Sequence, residues 1–189
     1  MGEGQSLGNA VRLRPGAARL TPTAPPPPLT LRPATPADCD LLWAQRNEEG
    51  ARAASLSTAP IPLSDHRSWY ARALADPCVT LLVAEDPPSG TPLGHVRLTR
   101  RPPTADTATI SLVVDLAARG RGIGPAILRA ATAWARTRAG LDAILALIRP
   151  DNIPSLRAFE RAGYQYVGVR VEGDVPVRAY RLDVRAAEP

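Results

Sequence analysis

The sequence predicts a single α+β domain whose elements follow the order βα αβββ αβαββ. Three observations support this prediction. The 189 residues, 44% of them hydrophobic, suffice for one ordinary core but not for two. Short apolar runs separated by turn-forming clusters indicate strands. Longer segments with apolar residues at helical spacing, bounded by capping residues, indicate helices.

The predicted domain covers residues 30–185. Residues 1–29 are rich in Gly, Pro and Ala and end in Pro25–Pro28, which favours an extended segment without a packing face. We therefore expect a disordered leader before the domain and a frayed tail over residues 186–189.

The first half of the domain combines one short strand with two helices. A strand is predicted at Thr30–Arg32. Thr35–Asp38 follows with an N-cap threonine, a proline at the first helical position and a capping-box acid. The helix that begins there is expected to run to Arg46. A second helix begins at Ser64-Asp65 and ends before Asp76-Pro77.

Three strands are predicted next: Val79–Glu85, Leu93–Arg100 and Thr107–Val114. The cluster Asp86–Gly90 favours a hairpin between the first two. The second half of the domain then continues with a helix, a strand, another helix and a closing hairpin. Their expected bounds are Gly122–Ala139, Ala143–Ile148, Ile153–Ala162, Tyr164–Val171 and Val175–Val184.

Charge and cysteine content restrict the function classes. The net charge of +5 comes from 23 basic residues, all arginine, which are spread along the chain, so we expect no nucleic-acid partner. Cys39 and Cys78 have no metal-ligand spacing and favour a reduced, cytoplasmic protein without metal. No run approaches the ~20 apolar residues needed to cross a bilayer, so no membrane partner is expected. The oligomeric state is expected to be monomer or homodimer.

Three glycines within five residues lie between the third of these strands and the long helix, in Arg119–Gly124. Glycines allow a ligand to approach the backbone, and the first turn of a helix offers N–H groups without partners, so this turn suits an anion. A dinucleotide GxGxxG is excluded by Pro125 and Ile127, and a phosphate-binding Walker loop is excluded by the absence of lysine.

In this turn the sequence resembles the GNAT superfamily of N-acetyltransferases, through the pattern Arg/Gln-x-x-Gly-x-Gly/Ala before a helix. A companion motif begins at Asn152 and ends at Gly163-Tyr164. The resemblance implies a mixed, mostly antiparallel twisted sheet with helices on both faces. It also implies acetyl-CoA as cosubstrate, with its pyrophosphate on the turn and its pantetheine arm along the strand that ends at Val114. The implied cofactor-binding residues are Val114, Arg119, Gly120, Arg121, Gly122, Ile123, Gly124, Asn152 and Phe159.

The acetyl-transfer groups depart from the pattern of the family. Many members have a glutamate on the strand before the turn, where Thr107–Ser111 contains none, and a tyrosine where Phe159 stands. Strand alternation places Thr109 on one face of its strand, where it can contact the substrate. His95 on the neighbouring strand is a candidate proton relay or a structural histidine. Ser155 is a candidate proton donor to the leaving thiolate or an ordinary first-turn serine. Asn152 can cap its helix as well as bind the cofactor.

The acceptor is predicted to be a primary amine. The N-terminal half resembles GNAT enzymes of the pseudaminic acid pathway, which implies a nucleotide-linked aminosugar contacted by Arg46, Asn47 and His66. An arginine suits a phosphate, although Arg46 is also well placed as a cation at a helix C-terminus. The same layout resembles enzymes that acetylate the N-termini of ribosomal proteins. A non-catalytic acyl-CoA sensor and an aminoglycoside-modifying enzyme are the further alternatives.

Overall fold

A computed structural model describes residues 27–138 and 140–184. Within these ranges the chain forms seven strands, five α-helices and two short 3₁₀ helices. The strands are β1 (Thr30–Pro33), β2 (Val79–Glu85), β3 (Pro92–Thr99), β4 (Thr107–Val114), β5 (Ala143–Ile148), β6 (Gln165–Glu172) and β7 (Val175–Asp183). The α-helices are α1 (Cys39–Asn47), α2 (Glu49–Ala53), α3 (Leu63–Ala75), α4 (Ile123–Arg138) and α5 (Ile153–Arg161), and the 3₁₀ helices are Pro36–Asp38 and Leu116–Ala118.

The strands form one mixed sheet in the order β1-β2-β3-β4-β5-β7-β6. All neighbours are antiparallel except β4 and β5, which are parallel. Their register runs from Thr107–Ala143 to Ile110–Ala146 and stops there. Ser111–Val114 continue beside β3, whereas Leu147 and Ile148 continue beside β7. The sheet therefore opens between β4 and β5 in its second half.

Side chains of β2 show how the sheet separates two cores. Leu82 and Ala84 pack into the larger core with α4 and α5, while Leu81 and Val83 pack with Tyr70 of α3 and Leu42 of α1. Because successive strand residues point to opposite faces, α1 and α3 cover one face and α4 and α5 cover the other. The predicted mixed, mostly antiparallel sheet with helices on both faces is confirmed.

Element bounds agree with the prediction to within one or two residues, with one omission. Helix α2 was not predicted, because five residues carry too little periodicity to be recognised and its N-cap is the side chain of Glu48. Leu29, which the prediction includes in the leader, is partly buried against the larger core. Residues 1–26, the end of the long helix at Ala139, and the tail from residue 185 lie outside the described residues.

None of the helices in the described ranges is long and apolar enough to cross a membrane. In the same ranges, no group of His, Cys, Asp and Glu side chains is arranged to hold a metal ion.

Candidate active site

The turn between β4 and α4 is built for an open backbone. Asp115 caps the 3₁₀ helix at Leu116–Ala118, its Oδ1 accepting from the Ala117 N–H at 3.0 Å. Gly120 and Gly122 then take φ of +75° and +77°, a region that side chains disfavour. Helix α4 begins at Ile123 immediately after these glycines.

Space around this turn fits a phosphate group. A Cβ added at Gly120 would meet nothing within 4 Å, and one added at Gly122 would meet only Pro27 Cδ at 4.0 Å. The first N–H groups of α4 have no partner inside the helix and carry a partial positive charge. Ile123 contributes backbone alone, because its side chain is buried in the core. The turn therefore fits the pyrophosphate of CoA.

The two arginines of the turn have different surroundings. The guanidinium of Arg119 contacts Glu48 Oε2 at 2.5 Å through Nη2 and donates from Nε to the Val114 carbonyl at 3.2 Å. Arg121 is exposed, and no described residue bonds to it. Both arginines were predicted to bind the cofactor. Among the described residues, Glu48 neutralises the charge of Arg119, whereas Arg121 has no carboxylate partner.

A cavity of about 1030 Å³ extends from the opening between β4 and β5 across the sheet face that carries α1 and α3. It brings together seven of the residues predicted from the sequence: Arg46, His66, His95, Thr109, Asn152, Ser155 and Phe159. The cavity thus runs without interruption from the side of the β4–β5 opening where helix α5 lies to the residues predicted to contact the acceptor.

His95 is held by a chain of hydrogen bonds. Its Nδ1 lies 2.9 Å from Gln45 Oε1, and Gln45 Nε2 donates to Asp115 Oδ2 at 3.2 Å. Because the Gln45 oxygen can only accept, Nδ1 carries the proton and Nε2 is left as an acceptor. Asp115 also caps the 3₁₀ helix that opens the turn between β4 and α4, which we call the cofactor turn. This chain of hydrogen bonds therefore links the imidazole to that turn.

Electrostatics keep His95 neutral. Burial, with smaller contributions from the charges of Arg97, His66 and Arg46, lowers the pKa of His95 to about 3. At neutral pH its imidazole is therefore a hydrogen-bond acceptor and a weak base.

Arg46 and Arg97 bring positive charge into the cavity. Burial lowers the pKa of both guanidinium groups, and the charge of Arg97 lowers that of Arg46 further. Neither forms an ion pair with any residue that the structure describes.

Two other residues predicted to contact the substrate, His66 and Asn47, are held by contacts within the protein. His66 is buried between Trp69 and Tyr70, and burial lowers its pKa. Asn47 does not line the cavity, because its amide donates to the Ile61 carbonyl and accepts from the Ile61 N–H, both at 2.8 Å. These contacts fix the loop before α3, and a contact of Asn47 with the acceptor stays a prediction.

Helix α5 presents Asn152, Ser155 and Phe159 to the cavity. Asn152 caps the helix by accepting from the Ser155 N–H at 3.1 Å, and its amide donates to the Ala54 carbonyl at 3.2 Å. The structure thus shows Asn152 as a helix cap that is also hydrogen-bonded to the end of α2. Phe159 is buried against Tyr164, the two rings 4.9 Å apart and edge to face.

Three residues at this site were missed from the sequence: Gln45, Glu48 and Asp115. Of these three, Gln45 alone carried a signal in the sequence, because it stands three residues after Leu42 and so lies on the same face of the predicted helix. The structure shows that both residues are buried. A polar residue at such a core position needs a partner. Glu48 and Asp115 act through contacts distant in sequence, which periodicity does not reveal.

Comparisons with known proteins agree with this geometry. Residues 28–165 match the family model described as Acetyltransferase (GNAT) domain. YwnH of Bacillus subtilis (strain 168), provisionally named a phosphinothricin acetyltransferase, is 29% identical over 144 residues, which cover 75% of this chain and 86% of that protein.

Solved structures show the same fold. Aminoglycoside acetyltransferase AAC(6')-Ib with coenzyme A and kanamycin has a TM-score of 0.72 at 21% identity, covering 82% of this chain and 95% of that one. Spermidine N-acetyltransferase from Vibrio cholerae with CoA and spermine has a TM-score of 0.74 at 18% identity, with the same coverage. The family match spans well over half of the sequence, and the chain therefore belongs to the GNAT acetyltransferases, which are acetyl-CoA-dependent N-acetyltransferases.

Proposed function

We propose that the chain transfers the acetyl group of acetyl-CoA directly to a primary amine held beside His95. The observation that carries this proposal is the single cavity that joins the opening between β4 and β5 to His95 and Arg46. With the pyrophosphate on the turn Arg119–Gly124 and the pantetheine arm beside Val114, the thioester and the amine can share this cavity. A covalent enzyme intermediate is then unnecessary.

The amine must lose a proton before it attacks. An alkylamine with a pKa of about 10.4 is neutral in fewer than about one molecule in a thousand at pH 7. Burial in the cavity and the uncompensated charges of Arg46 and Arg97 both disfavour the ammonium form, which lowers that pKa. This environment supplies neutral amine without the glutamate that many members of the family have.

His95 orients the nucleophile in this proposal. Its Nε2 accepts an N–H of the amine, which turns the nitrogen lone pair toward the thioester carbon. The lone pair forms the C–N bond while the carbonyl electrons move to oxygen, and collapse of this intermediate expels the CoA thiolate. The excess proton on nitrogen leaves through a neighbouring water to solvent.

The leaving group needs little assistance. A thiol with a pKa of about 8.5 departs readily as its thiolate. Phe159 cannot donate a proton, so Ser155, which lines the cavity on α5, is the proposed donor to the sulfur. Full activity in Ser155→Ala would exclude this role.

For the acceptor, we propose a nucleotide-linked aminosugar. The arginine-rich cavity supports an acceptor with negative charge, and Arg46 is suited to a phosphate. The neighbours crystallised with kanamycin and spermine bind polycations, which this cavity disfavours. Acetylation of a protein N-terminus remains the second candidate from the sequence resemblance.

The test is release of free CoA from acetyl-CoA in the presence of an amine panel. The panel contains uridine-diphosphate-linked aminosugars, peptides with ribosomal N-terminal sequences, and aminoglycosides. We expect turnover with an aminosugar nucleotide. Tight acetyl-CoA binding without turnover on any amine would instead identify an acyl-CoA sensor.

A further inference from the structure

We propose that Arg46 and Arg97 form an oxyanion subsite that selects acceptors carrying a carboxylate or phosphate close to the reactive amine. This inference rests on the proposed function, because the subsite would act on the acceptor of that reaction. It goes further by stating which chemical group of the acceptor is recognised and by which two side chains.

Arg46 has a donor without a partner among the described residues. Its Nη2 donates to the Ser57 carbonyl at 3.0 Å, whereas its Nη1 is buried and bonds to no residue that the structure describes. Leaving a charged donor buried and unsatisfied is costly, so such groups usually have a partner. An acceptor oxygen from a ligand in the cavity would satisfy Nη1.

Arg97 provides the second half of the subsite. It points to the same sheet face as His95, and its Nη2 lies 3.4 Å from Ser111 Oγ, at the limit of a hydrogen bond. Its guanidinium also lies over the ring of Trp69, 5.7 Å from the centroid, within the range of a cation–π contact.

Both guanidinium groups line the same cavity beside His95, and the charge of Arg97 lowers the pKa of Arg46. No carboxylate in the described ranges pairs with either group. Two half-buried cations that repel each other are stabilised by an anion between them. The planar fork of arginine matches carboxylate and phosphate oxygens, which makes an oxyanion the fitting ligand.

Charge elsewhere in the cavity agrees with this choice. The cavity is also lined by three further arginines, Arg72, Arg101 and Arg170, and by two acids, Asp65 and Glu172. Arg101 is bound to Asp76 at 2.9 Å, whereas Arg46 and Arg97 are both partly buried and form no ion pair within the described ranges. The positive excess repels polycations such as spermidine and aminoglycosides.

Geometry limits the distance between oxyanion and amine. Arg97 and His95 are two residues apart on β3, which separates their backbone positions by about 7 Å. An amine beside His95 and an oxyanion beside Arg97 therefore belong to one compact molecule. A singly charged oxyanion still leaves one positive charge of the pair facing the amine, so the lowering of the amine pKa is retained.

The first arm of the test measures binding without chemistry. Protein saturated with CoA, so that the cofactor turn is filled, is titrated calorimetrically with inorganic phosphate and with succinate. We expect binding of at least one of them by wild type and by Arg129→Gln, a variant of an exposed arginine on α4, and loss of binding in Arg46→Gln/Arg97→Gln. Equal binding by the double variant, or no binding by wild type, would overturn the subsite.

The second arm measures acetyl transfer to matched amines: glucosamine 6-phosphate against glucosamine, and γ-aminobutyrate against butylamine. The two pairs separate phosphate from carboxylate as the source of the oxyanion. We expect kcat/KM to favour the anionic member by about tenfold to a hundredfold, and Arg46→Gln or Arg97→Gln to abolish this preference through KM. Arg97→Lys retains charge without the fork and should restore part of it.

The two proposals fail in different ways. If no amine is acetylated but phosphate or succinate binding still requires Arg46 and Arg97, the proposed reaction fails while the subsite stands. If neutral and anionic amines are acetylated equally, or the variants keep the preference, the subsite is wrong and the acetyl transfer stands. Thermal melting of each variant separates loss of the subsite from loss of the fold.

Discussion

At the scale of single residues, the orientation of His95 determines what the acceptor site can do. Gln45 accepts from Nδ1 and Asp115 accepts from Gln45, so the lone pair of Nε2 is available to a ligand. The low pKa of His95, about 3, means that this lone pair is unprotonated throughout the pH range of an ordinary assay. In place of the relay suggested by the sequence, we therefore propose that His95 acts as a hydrogen-bond acceptor.

His95→Ala tests this role. We expect kcat to fall by about a hundredfold, in line with the loss of a group that positions the nucleophile, with little change in KM for acetyl-CoA. Because the imidazole is neutral well above its pKa of about 3, the fold loss should be constant from pH 6 to pH 9 in steady-state assays. A loss that varied steeply across this range would contradict the assigned protonation state.

Gln45→Glu gives the complementary experiment. A carboxylate next to Nδ1 stabilises the imidazolium, so the pKa of His95 should rise toward its ordinary value. Since the neutral form is the active one, kcat/KM should then fall as the pH drops through the raised pKa, giving an acid limb near pH 6 that the wild type lacks. Identical pH profiles would show that Gln45 does not contact His95 in solution.

Alternation along a strand was enough to place Thr109 on one face of β4, because side-chain direction on a strand is a local property. The register between β3 and β4 in the structure puts that face on the same side of the sheet as His95. The partners of His95 were not predictable in the same way. Gln45 lies 50 residues from His95 and 70 from Asp115 in sequence, so only the tertiary fold brings them together.

At the scale of elements, the cofactor turn depends on glycine for its backbone. Gly122 and Gly90 have similar φ, +77° and +67°, and both have open surroundings, but Gly90 lies in the β2–β3 turn. Gly122→Ala and Gly90→Ala should therefore lose similar stability, about 1 kcal/mol each. Only Gly122→Ala should raise KM for acetyl-CoA. We estimate a rise of tenfold or more, which corresponds to a loss of about 1.4 kcal/mol or more in binding free energy. Equal KM values in the two variants would contradict the assignment of the turn.

The start of the α1 region supplies a prediction about stability. Asp38 accepts two hydrogen bonds of 2.8 Å from Arg32 and closes the capping box with Thr35. Arg32 lowers the pKa of Asp38 from 3.8 to about 2. The stabilisation is therefore complete above pH 4 and is lost as the pH falls through about 2.

Asp38→Asn should lower the free energy of unfolding by about 1–2 kcal/mol at pH 7, a value reduced for the partial exposure of Arg32. The difference from wild type should shrink between pH 4 and pH 2 in denaturant titrations. Asp40→Asn, which breaks a pair exposed on both sides, serves as the control and should change little. A difference that persisted unchanged to pH 2 would contradict the role of Asp38.

Long periodic elements were predicted well, and β2, β4 and β5 match their expected bounds. The short helix α2 was missed because tertiary contacts define it. Glu48 accepts from two N–H groups of α2 at 2.9 Å and also binds Arg119 of the cofactor turn. The start of this helix is therefore connected to that turn through one side chain.

At the scale of the whole molecule, one feature of the sheet organises the site. Strands β4 and β5 part beyond Ile110 and Ala146, and the cavity that begins there reaches across the α1–α3 face to His95, Arg46 and Arg97. The α+β class and the order of most elements were predictable from the sequence. The arrangement of buried charge in the cavity was not, because it depends on side chains from α1 and β3 that approach only in the folded chain.

Direct transfer between two ligands in one cavity is the central claim, and mass spectrometry of a single turnover tests it. Protein is mixed with isotopically labelled acetyl-CoA and an amine identified from the panel, and both protein and small molecules are analysed. The account predicts labelled acetyl on the amine nitrogen and unmodified protein at every time point. Labelled protein that forms before the acetylated amine and passes its label on, or the absence of any acetylated amine, would contradict it.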